Sequence, residues 1–197
     1  MRKFALISSA FSVLLFATCT YAQQTDIAVG GSTLFSSSPP IGVVNFQPPA
    51  EDGGTYVGAS FNTVRFKYHL GIQAETAWRY HVAKYDGYET YRPIFTDVNA
   101  LYRRHARNRI DLDFLAGVGI ASTRFNLPAT CGIPGCVDFT SSNHFMEDLG
   151  VGLRYRAWRR FFVRPELHYY HIENNQAFHS DSVFRAEVSV GRTWGAK

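Results

Sequence analysis

Residues 70–82 read Leu-Gly-Ile-Gln-Ala-Glu-Thr-Ala-Trp-Arg-Tyr-His-Val, and the way they alternate decides the fold. Ile72, Ala74, Thr76, Trp78 and Tyr80 fall on even numbers, while Gln73, Glu75, Arg79 and His81 fall on odd ones. Successive side chains of a strand point to opposite faces, so one face here suits hydrocarbon and the other carries ionisable groups. The stretch is thirteen residues long. Strands of soluble domains peak at about 5–6 residues, whereas a tilted strand crossing a bilayer needs about 9–11.

The same period of two recurs along the chain and predicts eight strands: 25–35, 55–66, 70–82, 92–103, 109–125, 143–156, 161–172 and 181–194. No segment has the period of an amphipathic helix. Connections alternate in length, with short turns at 67–69, 104–108 and 157–160 and longer loops at 36–54, 83–91, 126–142 and 173–180. That asymmetry is the mark of outer-membrane barrels, which join an even number of strands by short turns on one side and long loops on the other. In the fifth strand Ile110, Leu112, Phe114, Ala116, Val118 and Ile120 oppose Asp111, Asp113, Leu115, Gly117 and Gly119. The last strand sets Phe184, Ala186, Val188, Val190 and Trp194 against Arg185, Glu187, Ser189 and Gly191. Two residues break the pattern. Pro165 lacks a ladder donor and predicts a bulge or weak pairing. Glu147 lies on the apolar face, where only a position near the interface is cheap.

The first residues, Met1-Arg2-Lys3, are basic, and the apolar run Phe4 to Thr18 is too short to span a bilayer as a helix. With Thr20-Tyr21-Ala22 following, residues 1–22 read as a signal peptide cleaved after Ala22, leaving 23–197 as a single domain. A lipoprotein reading through Cys19 fits Phe16-Ala17-Thr18 poorly. Cleavage removes Arg2 and Lys3 from a chain of net charge +4, so the basic balance is no argument for a nucleic-acid partner. Cys131 and Cys136 stand in an exported chain within Cys-Gly-Ile-Pro-Gly-Cys, which predicts a small disulfide-closed loop rather than a metal site.

Alternation alone leaves two barrels open, a membrane barrel with its apolar face outward and a soluble lipocalin-like barrel with that face inward around an apolar ligand. Three features favour the membrane. The polar face carries Glu75, Arg79, Asp97, Arg103, Asp111, Asp113, Asp148, Arg154, Arg164, Glu166, His168, Arg185 and Glu187 among many glycines. Small residues beside long ions suit a side-chain plug in a narrow lumen, so an interior ion network is expected. Aromatics cluster at strand ends: Tyr68, Tyr102, Tyr155, Trp158, Phe161 and Trp194 beside the short turns, and Trp78, Tyr80 and Tyr169 toward the long loops. Two such girdles belong at membrane interfaces. The short turns are basic, through Lys67, Arg104, Arg107, Arg109, Arg156, Arg159 and Arg160, and suit anionic phospholipid headgroups.

With these features the chain resembles the small eight-stranded outer-membrane barrels of the outer-membrane protein A and X type and the outer membrane protein beta-barrel domain families. The likeness covers nearly all of residues 23–197 and rests on architecture. Ser189, Gly191 and Trp194 match part of the C-terminal signal read by the barrel assembly machinery, although Gly195-Ala196-Lys197 stand where that family ends on an aromatic. The resemblance implies an all-β, antiparallel up-and-down transmembrane barrel in the outer membrane of a Gram-negative-type bacterium, in contact with lipopolysaccharide and phospholipid. It also implies a nearly closed, porin-like lumen and a non-enzymatic role in envelope integrity or loop-mediated adhesion.

Two chemistries compete with that reading. A lipid-modifying barrel would resemble deacylases with a His-x-Ser pair on the outer wall, and the sequence holds none. Its nearest substitute, His179-Ser180-Asp181, consists of adjacent residues whose side chains diverge. His168 and His171 fall on opposite faces of one strand and form no compact metal motif, so neither a catalytic residue, a metal nor a cofactor is expected. Phe35, Ile41, Val43, Val44 and Phe46 make the first long loop apolar enough to meet an unidentified partner or pack on the rim.

Overall fold

A computed structural model describes residues 24–36, 53–65, 69–85, 89–126, 139–174 and 181–195. The signal-peptide segment, the Cys131 and Cys136 pair, Lys67, Tyr68, residues 41–46 and His179-Ser180 lie outside the described residues.

The alternating segments form β1 (Gln24–Ser36), β2 (Tyr56–Arg65), β3 (Leu70–Arg79), β4 (Ala83–Tyr85), β5 (Glu89–Arg107), β6 (Ile110–Asn126), β7 (Phe139–Trp158), β8 (Phe161–Ile172) and β9 (Ser182–Trp194). Each long strand pairs antiparallel with its neighbours around the ring, β9 pairs with β1, and β3 pairs with β5. The sheet therefore closes on itself as an eight-stranded up-and-down barrel, and closure leaves no long edge to be satisfied. Among the described residues no helix is long and apolar enough to cross a membrane.

The deciding stretch is interrupted near its end. Residues 80–82 leave the ladder after Arg79, and the three-residue β4 resumes the pairing against Tyr91, Thr90 and Glu89 of β5. Two turns are tighter than the sequence predicts. β5 runs to Arg107 and β7 to Trp158, so Arg104 to Arg107 and Ala157 are strand, and the turns shrink to Asn108-Arg109 and Arg159-Arg160. Arg159 takes a left-handed φ of 46° to make the second reversal. Pro165 pairs in register with Val188 of β9, but on its other side the β7–β8 ladder skips from Gly152↔Glu166 to Tyr155↔Val163. The missing donor thus produces the weak pairing, while the register shift itself lies at Arg156/Trp158.

Burial sorts the two faces. Val29 and Leu149 are 61% and 59% exposed, and Ile27, Val98, Val118, Ile120, Val188 and Val190 share that outer surface. Inside, Arg164 and Arg185 are 0% exposed. Phe114 and Val118 point outward, which removes the lipocalin-like arrangement in which they would line a ligand cavity. Glu147, on the outer face, stands opposite Val118 and His171, one residue from the end of β8 and hence toward the long-loop side.

Candidate functional site

Among the described residues ionisable side chains converge in the lumen, and three layers fill it. At the short-turn end Asp26 of β1 is the node. Arg103 Nη1 reaches it at 2.6 Å and Arg154 Nη2 at 3.3 Å, while Thr193 Oγ1 and Gln24 Nε2 donate to it at 2.7 Å and 3.0 Å. Arg103 also forks onto Asp113, through Nε at 2.7 Å and Nη2 at 2.8 Å, the bidentate geometry that guanidinium and carboxylate prefer. Arg154 Nη1 donates to Asp111 at 2.9 Å, and Arg156 Nη2 approaches the same carboxylate at 3.3 Å. Below this layer a cavity of about 740 Å³ opens at the short-turn mouth, lined by Asp111, Arg103, Arg154, Arg156, Arg159 and Arg160.

The middle layer is held from β2, β3, β5, β7, β8 and β9. Arg164 Nε lies 2.7 Å from Glu166 Oε2, and its Nη2 donates to Ser60 at 2.9 Å. Arg185 donates to Glu75 and stands 3.3 Å from Glu187 Oε2. Gln73 donates to Glu75 at 2.8 Å. Asn99 Nδ2 donates both to Asp97 at 2.8 Å and to Asp148 at 2.7 Å, and His168 Nδ1 lies 3.1 Å from each oxygen of Asp148. Glycine makes the room. A Cβ on Gly152 would lie 2.9 Å from Glu166 Cγ, one on Gly150 3.0 Å from His168 Nδ1, and one on Gly30 2.7 Å from Glu187 Oε1.

Nearer the long loops the lumen turns apolar. Leu34, Tyr56, Phe95, Ala121, Met146, Tyr170, Ile172 and Val183 form one buried cluster, with Phe95 stacked on Tyr170 at 5.5 Å. Arg79 sits above this cap, between the rings of Tyr56 and Tyr91 at 5.9 Å and 5.8 Å, and donates to the Tyr91 hydroxyl at 3.4 Å.

Glu75, Asp97, Arg103, Asp111, Asp113, Asp148, Arg154, Arg164, Glu166, His168, Arg185 and Glu187 are all buried inside. Arg79 is the exception, because its strand carries it past the ion layers to the cap, where its described contacts are aromatic. Asp26, Gln24, Thr193 and His105 also belong to the network; alternation with the outward Ile27 and Val29 is the signal for Asp26 and Gln24, whereas Thr193 and His105 join through contacts made by strand pairing. On the outside Tyr102, Tyr155, Trp158, Phe161 and Trp194 are exposed at the short-turn end, Trp78 and Tyr80 are exposed at the other, and Tyr169 is half-buried against Phe184. All three tryptophans of the chain thus face outward.

The outer wall also places Glu147, His171 and Ser182 side by side on β7, β8 and β9. Ser182 Oγ lies 3.0 Å from the Tyr169 hydroxyl.

No protein-family model matches the sequence, and no curated protein matches it. Solved structures do. OprG from Pseudomonas aeruginosa superposes with a TM-score of 0.58 at 15% identity, covering 89% of this chain and 98% of that one. Ail, the attachment invasion locus protein of Yersinia pestis, solved with the heparin analogue sucrose octasulfate, gives 0.57 at 13% identity over 87% and 98% of the two chains. Neisserial surface protein A gives 0.54 at 10% identity over 86% and 94%. The fold is that of the small eight-stranded outer-membrane barrels.

Proposed function

We propose that the protein is a non-enzymatic barrel of the outer membrane of a Gram-negative-type bacterium, exported by a cleaved signal peptide at residues 1–22, which reinforces the envelope and presents its long loops for adhesion. One observation carries this reading: the barrel is inside-out, with an exposed apolar band between aromatic girdles around a lumen of fully buried arginines. A soluble barrel with that surface would expose far more contiguous apolar area than water tolerates. In a bilayer the same band is solvated by acyl chains, and the girdles sit at headgroup level.

The short-turn end, where β1 begins and β9 ends, then faces the periplasm. Its exposed Arg104, Arg107, Arg109, Arg159 and Arg160 suit the phosphates of the periplasmic leaflet, and the opposite girdle suits lipopolysaccharide. Ser189, Gly191 and Trp194, on the strand that closes the barrel against β1, are the segment offered to the barrel assembly machinery. Ion pairs and the apolar cap fill the lumen, so envelope support and loop display fit the geometry better than free diffusion through it. The attachment named for Ail makes loop-mediated adhesion the form of display to examine.

Expression of the full chain in a Gram-negative host, followed by membrane fractionation and gels run with and without boiling, tests the placement. The expected result is recovery in the outer-membrane fraction and a faster-migrating unboiled band. A chain that remains soluble without detergent overturns it.

A further inference from the structure

Five carboxylates of the middle layer, Glu75, Asp97, Asp148, Glu166 and Glu187, are buried with two arginines, Arg164 and Arg185, and one histidine, His168. The layer is therefore acidic on balance, and uncompensated charge in such a place is costly. Within it, one nitrogen of His168 and one oxygen each of Glu75 and Glu166 lie within 4.8 Å of one another. These residues come from β8 and β3, so the grouping is made by barrel closure and has no spacing signature in the sequence.

The hydrogen bonding of His168 points the same way. A carboxylate only accepts, so the His168 Nδ1 that faces Asp148 carries a proton, and Nε2 is the nitrogen left to take a cation in exchange for any proton it holds. That Nε2 is buried and has no hydrogen-bond partner, and neither has Glu166 Oε1. Carboxylate, imidazole and a free Nε2 in sequence are what a metal-binding histidine with its orienting outer partner looks like. We propose that Glu75, Glu166 and His168 form a divalent-cation site of the zinc class inside the lumen, with Asp148 as the positioning residue.

The donor set fits. Two carboxylates and an imidazole suit zinc, and a fourth position is left for water or a second carboxylate oxygen. Zinc–ligand lengths of about 2.0–2.2 Å set tetrahedral donors about 3.4 Å apart, so donors within 4.8 Å of one another must close by at most about 1.4 Å, a rotation within reach of two glutamate side chains. A dication also offsets much of the acidic surplus. The apolar cap above and the Arg103 and Arg154 layer below bar a cation from entering a finished barrel, so the ion is acquired as the barrel closes and is then trapped.

The test refolds the full chain into detergent micelles with zinc or cobalt(II), washes the folded protein with a chelator, and measures retained metal by mass spectrometry. The expected result is about one ion retained per chain, released on unfolding, and a cobalt absorption spectrum of a low-symmetry site with nitrogen and oxygen ligands. Asp148→Asn is expected to weaken retention about 10–100-fold while the unboiled gel band shows an intact barrel. His168→Gln is expected to abolish retention in protein that migrates as folded. Wild-type protein that folds yet holds no ion after the wash, or His168→Gln protein that holds it as well as wild type, overturns the proposal. Should His168→Gln fail to fold, nitrogen NMR of wild-type protein refolded with zinc decides: metal-shifted Nε2 supports the site, and a doubly protonated ring overturns it.

Discussion

The short-turn layer and the middle layer of the lumen use the same residue types to opposite electrostatic effect. Near the short turns Asp26, Asp111 and Asp113 meet Arg103, Arg154 and Arg156, and every carboxylate has a guanidinium within 3.3 Å. In the middle layer acids outnumber arginines, and Asp97 has no arginine or lysine partner among the described residues; its described donor is Asn99. Balanced charge in a low-dielectric space makes a rigid plug. Surplus charge makes a site that recruits something, whether a proton or a metal. The two layers thus teach that a filled lumen need not be uniformly inert.

The largest effect is expected where balance is broken. Asp113 accepts two parallel bonds from Arg103, so Asp113→Asn leaves that buried guanidinium with only a share of Asp26. Breaking one side of a buried pair costs about 3–5 kcal/mol. Urea unfolding in lipid vesicles should show a loss of that size, and a change below about 1 kcal/mol would mean that the short-turn layer is not the rigid member of the comparison.

A smaller effect probes space rather than charge. Gly152→Ala places a methyl 2.9 Å from Glu166 Cγ, and the close approach pushes the middle layer out of register at an expected cost of about 1–3 kcal/mol. Gly31→Ala is its control. Gly31 is exposed, and the nearest atom to its added Cβ is the Tyr56 carbonyl oxygen at 3.9 Å, so the same unfolding measurement should leave it close to the parent. Equal losses at both glycines would show that lumen crowding plays no special part.

Much of this was legible in the sequence because a strand writes its faces in period two. Ile110 to Ile120 against Asp111 and Asp113 fixes which side chains share a surface whatever the barrel does. What alternation cannot write is height. Arg79 and Glu75 share a face of β3, yet four residues of rise carry Arg79 beyond the ions and up to Tyr56 and Tyr91. The apolar cap was missed for a related reason. Phe95 and Tyr170 each stand two residues from a polar neighbour on the same face, Asp97 and His168, and only the stagger of neighbouring strands shows that these aromatics gather at one level. The trio Glu75, Glu166 and His168 depends on the same stagger, since it joins β3 to β8 across the lumen. Turn lengths failed more simply: Arg104 to Arg107 look like a basic turn by composition, but their pairing with 110–112 continues the ladder past the membrane girdle.

The smallest effect is the sharpest test of the acidic layer. Asp97→Asn keeps an oxygen to accept from Asn99 and removes one charge that no arginine or lysine compensates. Metal-free protein should therefore lose nothing and gain about 1 kcal/mol, opposite in sign to Asp113→Asn although both changes replace a buried aspartate by its amide. Because a bound dication already offsets the surplus, the gain should shrink when the protein is refolded with zinc. Paired unfolding curves, with and without the ion, check both statements. A loss as large as that of Asp113→Asn would show that Asp97 is as fully compensated as its counterpart below, and the distinction between the two layers would fail.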